Sequence, residues 1–160
     1  MRTGIGYDIH PLRKGKHLVL CGVKIPFHME LEGHSDADVA LHAAGDAILG
    51  AAGLGDIGVH FPDTDDKYRG ISSLVLVEKI RKKLKNKGYE VNNIDITIVC
   101  QEPKLFSFMG EMRSNIAAAL DIRECDVNVK ATTREGLGPE GRGEALSAIA
   151  VATIIPAPEA

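Results

Sequence analysis

An aspartate and a histidine stand two residues apart in GIGYDIH, residues 4–10. The stretch is β-prone and bordered by Gly6 and Pro11, so it reads as a strand running into a turn. Alternate side chains of a strand share a face, so Asp8 and His10 can reach one point together. A self-satisfied structural pair and two ligands of one ion both fit that triplet. His42 supplies a third group. Ala37, Ala40, Leu41, Ala44, Ile48 and Ala51 recur at helical spacing and make an apolar stripe. His42 lies off that stripe, in line with Asp38 and Asp46 at steps of four residues. A histidine kept for packing belongs inside the stripe. Asp8, His10 and His42 together form the ligand set of a catalytic divalent site with one open position, and zinc suits it better than magnesium. All six histidines (His10, His17, His28, His34, His42 and His60) precede residue 61, whereas the glycine-rich REGLGPEGRGE fills 134–144. That distribution suggests two halves of one site.

These groups need elements to carry them. HLVLCGVKI (17–25) is expected to pair with the first strand as a hairpin, with 11–16 as its loop. Ser35 followed by Asp38 resembles a capping box, which predicts a helix from about Asp36 to Ala51. Residues 53–70 are rich in Gly, Asp and Pro and read as a loop. A second helix is expected over 71–87, where RKKLKNK places cations near its C-terminus before Gly88. YEVNNIDITIVCQ (89–101) alternates like a strand, 105–120 reads as a helix and DVNVKAT (126–132) as a strand. ALSAIAVATII (145–155) is a buried strand or helix, which periodicity leaves open. Strands alternating with helices predict an α/β (α+β) sandwich, one mixed sheet with helices on one face plus the N-terminal hairpin. The chain is expected to form one domain, 1–160.

Composition narrows the function. A net charge of −3 gives no electrostatic case for nucleic acid. No apolar run is long enough for a membrane span, and no signal-peptide succession opens the sequence. Cys21, Cys100 and Cys125 are widely spaced and odd in number, which predicts buried free thiols in a reducing cytosol.

Five stretches resemble one known family: GYDIH (6–10), GHSDADVALHA (33–43), LGDIGVHFPDTD (54–65), VNVKATT (127–133) and GRGE (141–144). In order and spacing they are similar to the 2-C-methyl-D-erythritol 2,4-cyclodiphosphate synthases. The resemblance implies that 4-diphosphocytidyl-2-C-methyl-D-erythritol 2-phosphate is cyclised to the 2,4-cyclodiphosphate with release of CMP, in the non-mevalonate isoprenoid pathway. It implies a cytoplasmic enzyme, or one of an organelle stroma after removal of a transit peptide, with a ferredoxin-like fold and a homotrimer whose sites lie between subunits. It assigns zinc to Asp8, His10 and His42, and a second ion, Mg2+ or Mn2+, to Glu135 with the substrate diphosphate. His34 and Thr133 match residues that orient phosphates and stabilise the transition state. Substrate binding falls by resemblance on Ser35, on Asp56, Ile57 and Gly58, and on Phe61, Pro62, Asp63, Thr64 and Asp65. Cytosine recognition falls on Cys100, Gln101, Glu102, Pro103, Lys104, Leu105 and Phe106, with Thr132 beside them.

Two positions depart from the family pattern. Arg134 stands where many relatives carry a small or polar residue, and it is placed to pair with Glu135 or with phosphate. Pro139 replaces an aromatic residue that, with the arginine matching Arg142, lines a central trimer cavity able to bind an isoprenoid diphosphate. Arg142 is kept, so an anion can still bind there, but the aromatic contact is lost. A metal-dependent phosphohydrolase uses the same open site to activate water, and a trimeric binding module would hold CDP or CMP without turnover. The products discriminate among the three.

Overall fold

The computed structural model describes residues 1–158; the last two residues of the expected 1–160 unit lie outside the described residues. In chain order the elements are β1 (Arg2–Lys14), β2 (His17–Leu20), β3 (Val23–Pro26), β4 (Met29–Leu31), α1 (Val39–Ala52), α2 (Ile57–His60), α3 (Ser73–Asn86), β5 (Tyr89–Val99), α4 (Met109–Leu120), β6 (Val127–Thr132), α5 (Gly138–Gly141) and β7 (Ala145–Pro156). Five strands form a mixed sheet in the order β4-β1-β7-β5-β6, in which only β5 and β6 run parallel. The undecided segment 145–155 is therefore the central strand. Ala148, Ala150, Ala152 and Ile154 point alternately into the core, while Ile149 and Val151 emerge on the other face.

Helix α1 packs across β1 and β7, with α3 and α4 covering β5 and β6. Two glycines set how closely α1 can approach. A Cβ at Gly4 or Gly6 would stand 2.0 Å from the carbonyl oxygens of Ala47 and Ala43. The glycines before Tyr7 thus let the helix carrying His42 lie against the strand carrying Asp8 and His10. The opposite sheet face is uncovered in the single chain, and there Ile5 is 70% and Tyr7 55% exposed.

Three expectations need correction. HLVLCGVKI is itself a hairpin, β2 pairing β3 around Cys21 and Gly22, and does not pair with the first strand. Both turn residues have positive φ, which tightens the reversal inside the apolar run. β1 instead continues through Lys14 to pair with β4 and β7. Helix α1 starts at Val39, because Asp38 caps it: the Asp38 side chain accepts the Leu41 N–H. Cys125 is exposed; Cys21 and Cys100 are buried free thiols. The 53–70 stretch is mostly loop, with the single turn of α2 inside it.

Candidate metal centre and substrate cleft

β1 presents Asp8 and His10 on one face, and α1 brings His42 over them. Asp8 Oδ2 lies 2.8 Å from His10 Nε2 and 3.0 Å from His42 Nδ1, and the two nitrogens are 3.2 Å apart. The remaining ring nitrogens define the tautomers. His10 Nδ1 is 2.7 Å from the carbonyl oxygen of Glu32, which can only accept, so Nδ1 carries the proton. His42 Nε2 lies 3.1 Å from the Ser73 hydroxyl, whose own hydrogen goes to Asp36 Oδ1 at 2.5 Å. Ser73 therefore accepts from His42 Nε2–H, and Ser35 Oγ flanks the same nitrogen at 2.9 Å. With both rings neutral, His10 Nε2 and His42 Nδ1 turn lone pairs toward a carboxylate oxygen. Three such electron pairs converge only around a cation, either protons or a metal ion.

In the ion-free chain protons on these nitrogens take the cation's place. Burial opposes ionisation of Asp8, but hydrogen bonds from His10 and His42 outweigh it and hold the carboxyl well below the usual carboxylate range. Burial also opposes the charge on His10, yet the Asp8 and Glu32 partners raise its pKa above 6.5. The donor set fits a divalent ion: one carboxylate, two imidazoles and second partners that fix both rings. Glu32, Asp36 and Ser73 were not legible as supporting groups, since their roles rest on a carbonyl and on a hydroxyl more than thirty residues away in sequence.

A cleft of about 480 Å³ opens beside the triad, walled by His34, Ser35, Ile57, Gly58, Phe61 and Asp63 among others. Pro62 joins that wall, and His34 Nε2 reaches the Asp65 carbonyl at 3.3 Å. Asp56 and Asp65 cap α2 and the following 3-10 turn through their side chains. Thr64 is exposed on the turn between them. Asp46, on the His42 row of α1, accepts the Ile57 N–H at 2.7 Å and ties this loop to the helix that carries His42. Burial pushes the Asp46 carboxyl upward.

The other expected residues gather elsewhere, at the C-terminal ends of the parallel pair β5–β6. Cys100 N–H donates to the Thr132 carbonyl at 2.9 Å, which joins the 100–106 segment to the end of β6. Burial pushes the Cys100 thiol up to about 12, so it stays protonated, and it donates to the Glu102 carbonyl. Leu105 is buried, whereas Phe106 is 87% exposed. Pro103 follows a cis peptide bond, and Lys104 projects to solvent. Thr133 donates to Glu135 Oε1 at 2.7 Å. Gln101, Glu102 and Arg142 border a separate cavity of about 300 Å³. Arg134 faces Glu140 at 4.0 Å, and its described ion pair is not with Glu135. Among the described residues, none of 100–106, 132–135 or 142 lines the cleft of the triad. The expected site residues thus fall into two separate groups within one chain.

Comparison with known proteins gives this arrangement a context. Residues 1–155 match the model of the YgbB family. The chain is 55% identical over 157 residues to the 2-C-methyl-D-erythritol 2,4-cyclodiphosphate synthase of Alkaliphilus oremlandii, covering 98% of this chain and 100% of the relative. It is 56% identical to the synthase of the same name from Methylococcus capsulatus, over 96% and 97% of the two chains. Among solved structures, bifunctional IspDF from Campylobacter jejuni superimposes with a TM-score of 0.92 at 46% identity, over 96% of this chain and 42% of that one. The CDP complex of IspF from Plasmodium falciparum superimposes with a TM-score of 0.86 at 35% identity, over 98% and 97%. Sequence and fold agree along nearly the whole length, and the chain belongs to the YgbB family, that of the 2-C-methyl-D-erythritol 2,4-cyclodiphosphate synthases.

Proposed function

We propose that this chain is a lyase of isoprenoid biosynthesis that converts 4-diphosphocytidyl-2-C-methyl-D-erythritol 2-phosphate to 2-C-methyl-D-erythritol 2,4-cyclodiphosphate and CMP. The observation that carries the reading is the convergence of Asp8, His10 and His42 beside a cleft walled by the acidic 56–65 loop. In the reaction an oxygen of the 2-phosphate bonds to the β-phosphorus of the same molecule. The bond from that phosphorus to CMP breaks, and CMP leaves with the bonding electrons. Such a transfer is mostly positioning and charge neutralisation. Among the described residues, no Lys or Arg lines the triad cleft to supply that charge. Asp8, His10 and His42 would hold a divalent ion, zinc by its donor set, which would supply the charge neutralisation there.

The rest is the work of side chains. Glu32, Ser35, Ser73 and Asp36 keep both imidazoles in the tautomers that offer lone pairs to the ion. His34 and Thr133 orient the phosphates. Asp56–Gly58 and Phe61–Asp65 accept and donate hydrogen bonds to the substrate hydroxyls, and Cys100–Phe106 with Thr132 take the cytosine. Glu135 would hold the second ion, Mg2+ or Mn2+, which would supply further neutralisation of phosphate charge. The separation of the two half-sites within one chain supports a homotrimer whose neighbours complete each site. Exposed Ile5, Tyr7 and Ile9 on the uncovered sheet face support the same assembly. In this reading residues 1–160 act as one catalytic unit of ferredoxin-like layering, in the cytoplasm or, after removal of a transit peptide, in an organelle stroma.

Phosphorus NMR of the purified protein with the cytidylyl substrate and magnesium tests this. The cyclic diphosphate and CMP are expected together. A linear phosphate in place of the ring would make the protein a hydrolase, and bound nucleotide without turnover would make it a binding module.

A further inference from the structure

Glu140 and Asp38 are the two charged side chains that the fold buries among the described residues. Asp38 caps a helix; Glu140 stands in α5, the single turn within the glycine-rich stretch, apart from the triad cleft. Its side chain is 7% exposed. Oε1 accepts the Ser147 hydroxyl at 2.8 Å, and Oε2 faces Arg134 Nε at 4.0 Å. Hydrogen bonds from its own backbone N–H and from Ser147 hold the carboxyl below its ordinary range. A buried carboxylate is costly unless bonded and paired, so this three-residue arrangement needs a reason.

Its two ends supply one. Ser147 lies on β7 between Ile9 of β1 and Val99 of β5, in the rigid middle of the sheet. Arg134 lies between Thr133 and Glu135. Glu140 therefore bridges the sheet to the turn that carries both groups. That turn is strained: Glu135 has φ of 52°, in the left-handed region that a β-carbon disfavours. Strained backbone persists only where its surroundings hold it. Here the hold is continuous. Gly141, next to Glu140, packs so closely on Gly136 that a Cβ would meet the Gly136 carbonyl carbon at 2.4 Å. The Leu137 N–H donates to the Arg134 carbonyl at 2.8 Å, and the Gly141 N–H to the Leu137 carbonyl at 3.1 Å.

We infer that Glu140 is a positioning residue: anchored on Ser147 and facing Arg134, it holds the Thr133–Glu135 turn in the geometry that presents both residues to the substrate. The inference rests on the reading of Glu135 as the ligand of the second ion. It reaches a position that the family motifs do not include, within a loop where Arg134 and Pro139 depart from the usual pattern.

The test reads two quantities, the magnesium concentration for half-maximal turnover and the exchange rate of the Leu137 amide. Glu140→Ala removes both partners' acceptor, while Glu140→Gln keeps an acceptor for Ser147 and loses the charge facing Arg134. Leu84→Ala, in the core of α3, controls for general destabilisation. Glu140→Ala is expected to raise the half-saturating magnesium about tenfold and to speed Leu137 exchange, with zinc content unchanged. Glu140→Gln recovers part of both, and Leu84→Ala lowers the melting temperature while moving neither. Should Glu140→Ala not fold, Arg134→Ala is read in its place. Glu135→Gln is measured alongside. If Glu135→Gln shifts the magnesium requirement and Glu140→Ala does not, the positioning role is overturned and the second-ion reading stands. If Glu135→Gln shifts nothing, the second-ion reading falls and Glu140 is judged on Leu137 exchange and kcat. Faster exchange with lower kcat, both partly recovered by Glu140→Gln, then upholds the positioning role; either one unchanged overturns it.

Discussion

Each ring of the proposed metal centre has one nitrogen committed to a fixed acceptor, which leaves the other free to coordinate. His10 is held by a main-chain carbonyl and His42 by a hydroxyl whose proton is engaged by Asp36. Removing one ring should therefore empty the site without unfolding the chain, since His42 is only partly buried and lies off the apolar stripe of α1. His42→Ala is expected to lose its zinc and its turnover while keeping a wild-type circular dichroism spectrum. Full zinc by elemental analysis in that variant would remove His42 from the ligand set. The pH dependence follows from His10. Its pKa is raised, and a metal needs the neutral ring, so protons compete with zinc from above pH 6.5 downward. Chelator-competition titrations should show zinc affinity already falling as pH drops toward 6.5. In the metal-free protein the sign reverses. A raised imidazole pKa contributes stability that is complete below pH 6.5 and lost as pH rises through the folded value.

What the elements contribute is distance. β1 and α1 approach closely because Gly4 and Gly6 have no side chain to keep them apart. Gly6→Ala places a methyl group where the Ala43 carbonyl stands, 2.0 Å away, so strand and helix must separate. A loss of about 1–3 kcal/mol in urea unfolding is expected. Zinc affinity should weaken as well, because His42 moves with α1 while Asp8 and His10 stay with β1. Unfolding with wild-type stability and zinc binding would show that α1 does not need this approach. Asp38 acts on the same helix. Burial raises its carboxyl to about 6, so its ionisation works against folding as pH climbs from the ordinary carboxylate range through that value. It also accepts from Leu41 and Gly22. Asp38→Ala should cost about 1–2 kcal/mol, with the gap to wild type narrowing between pH 4 and pH 7 in urea titrations.

The legibility of these elements varied with the range of the interaction that forms them. The His42 row was readable because helical periodicity is local. Ser35 looked like the cap, but Asp38 takes that role, and Ser35 turns to His42. The choice depends on Gly22, which reaches Asp38 from the β2–β3 turn. The hairpin in HLVLCGVKI was hidden because Cys21 lacks the composition of a usual turn residue, although it adopts φ of 50°. Asp8, His10 and His42 could be grouped by residue chemistry. Their second partners could not, since these meet only once β4, the loop before α1 and the start of α3 are folded together.

At the scale of the whole molecule, the two proposed half-sites pose a question that a single chain does not answer. The triad cleft takes its wall from residues before 77, and the 100–106 and 132–135 segments stand outside it. In the homotrimer proposed above, closed threefold symmetry makes three equivalent heterologous interfaces, each of which can join one chain's triad to its neighbour's nucleotide segment. Mixing two inactive variants tests that arrangement. His42→Ala damages only the metal half, and Thr133→Ala only the nucleotide half. Refolded together in equal amounts, a site is intact only when its metal half comes from the Thr133 variant and its nucleotide half from the His42 variant. Random assembly joins those two with a chance of one half times one half, so about a quarter of wild-type turnover should return. Sites contained within single chains would recover nothing, because every chain carries a lesion. Native mass spectrometry establishes that mixed trimers are present. With mixed trimers in hand and turnover no higher than in the parent variants, the shared-site arrangement would be wrong, and each chain would have to close its own cleft over the substrate.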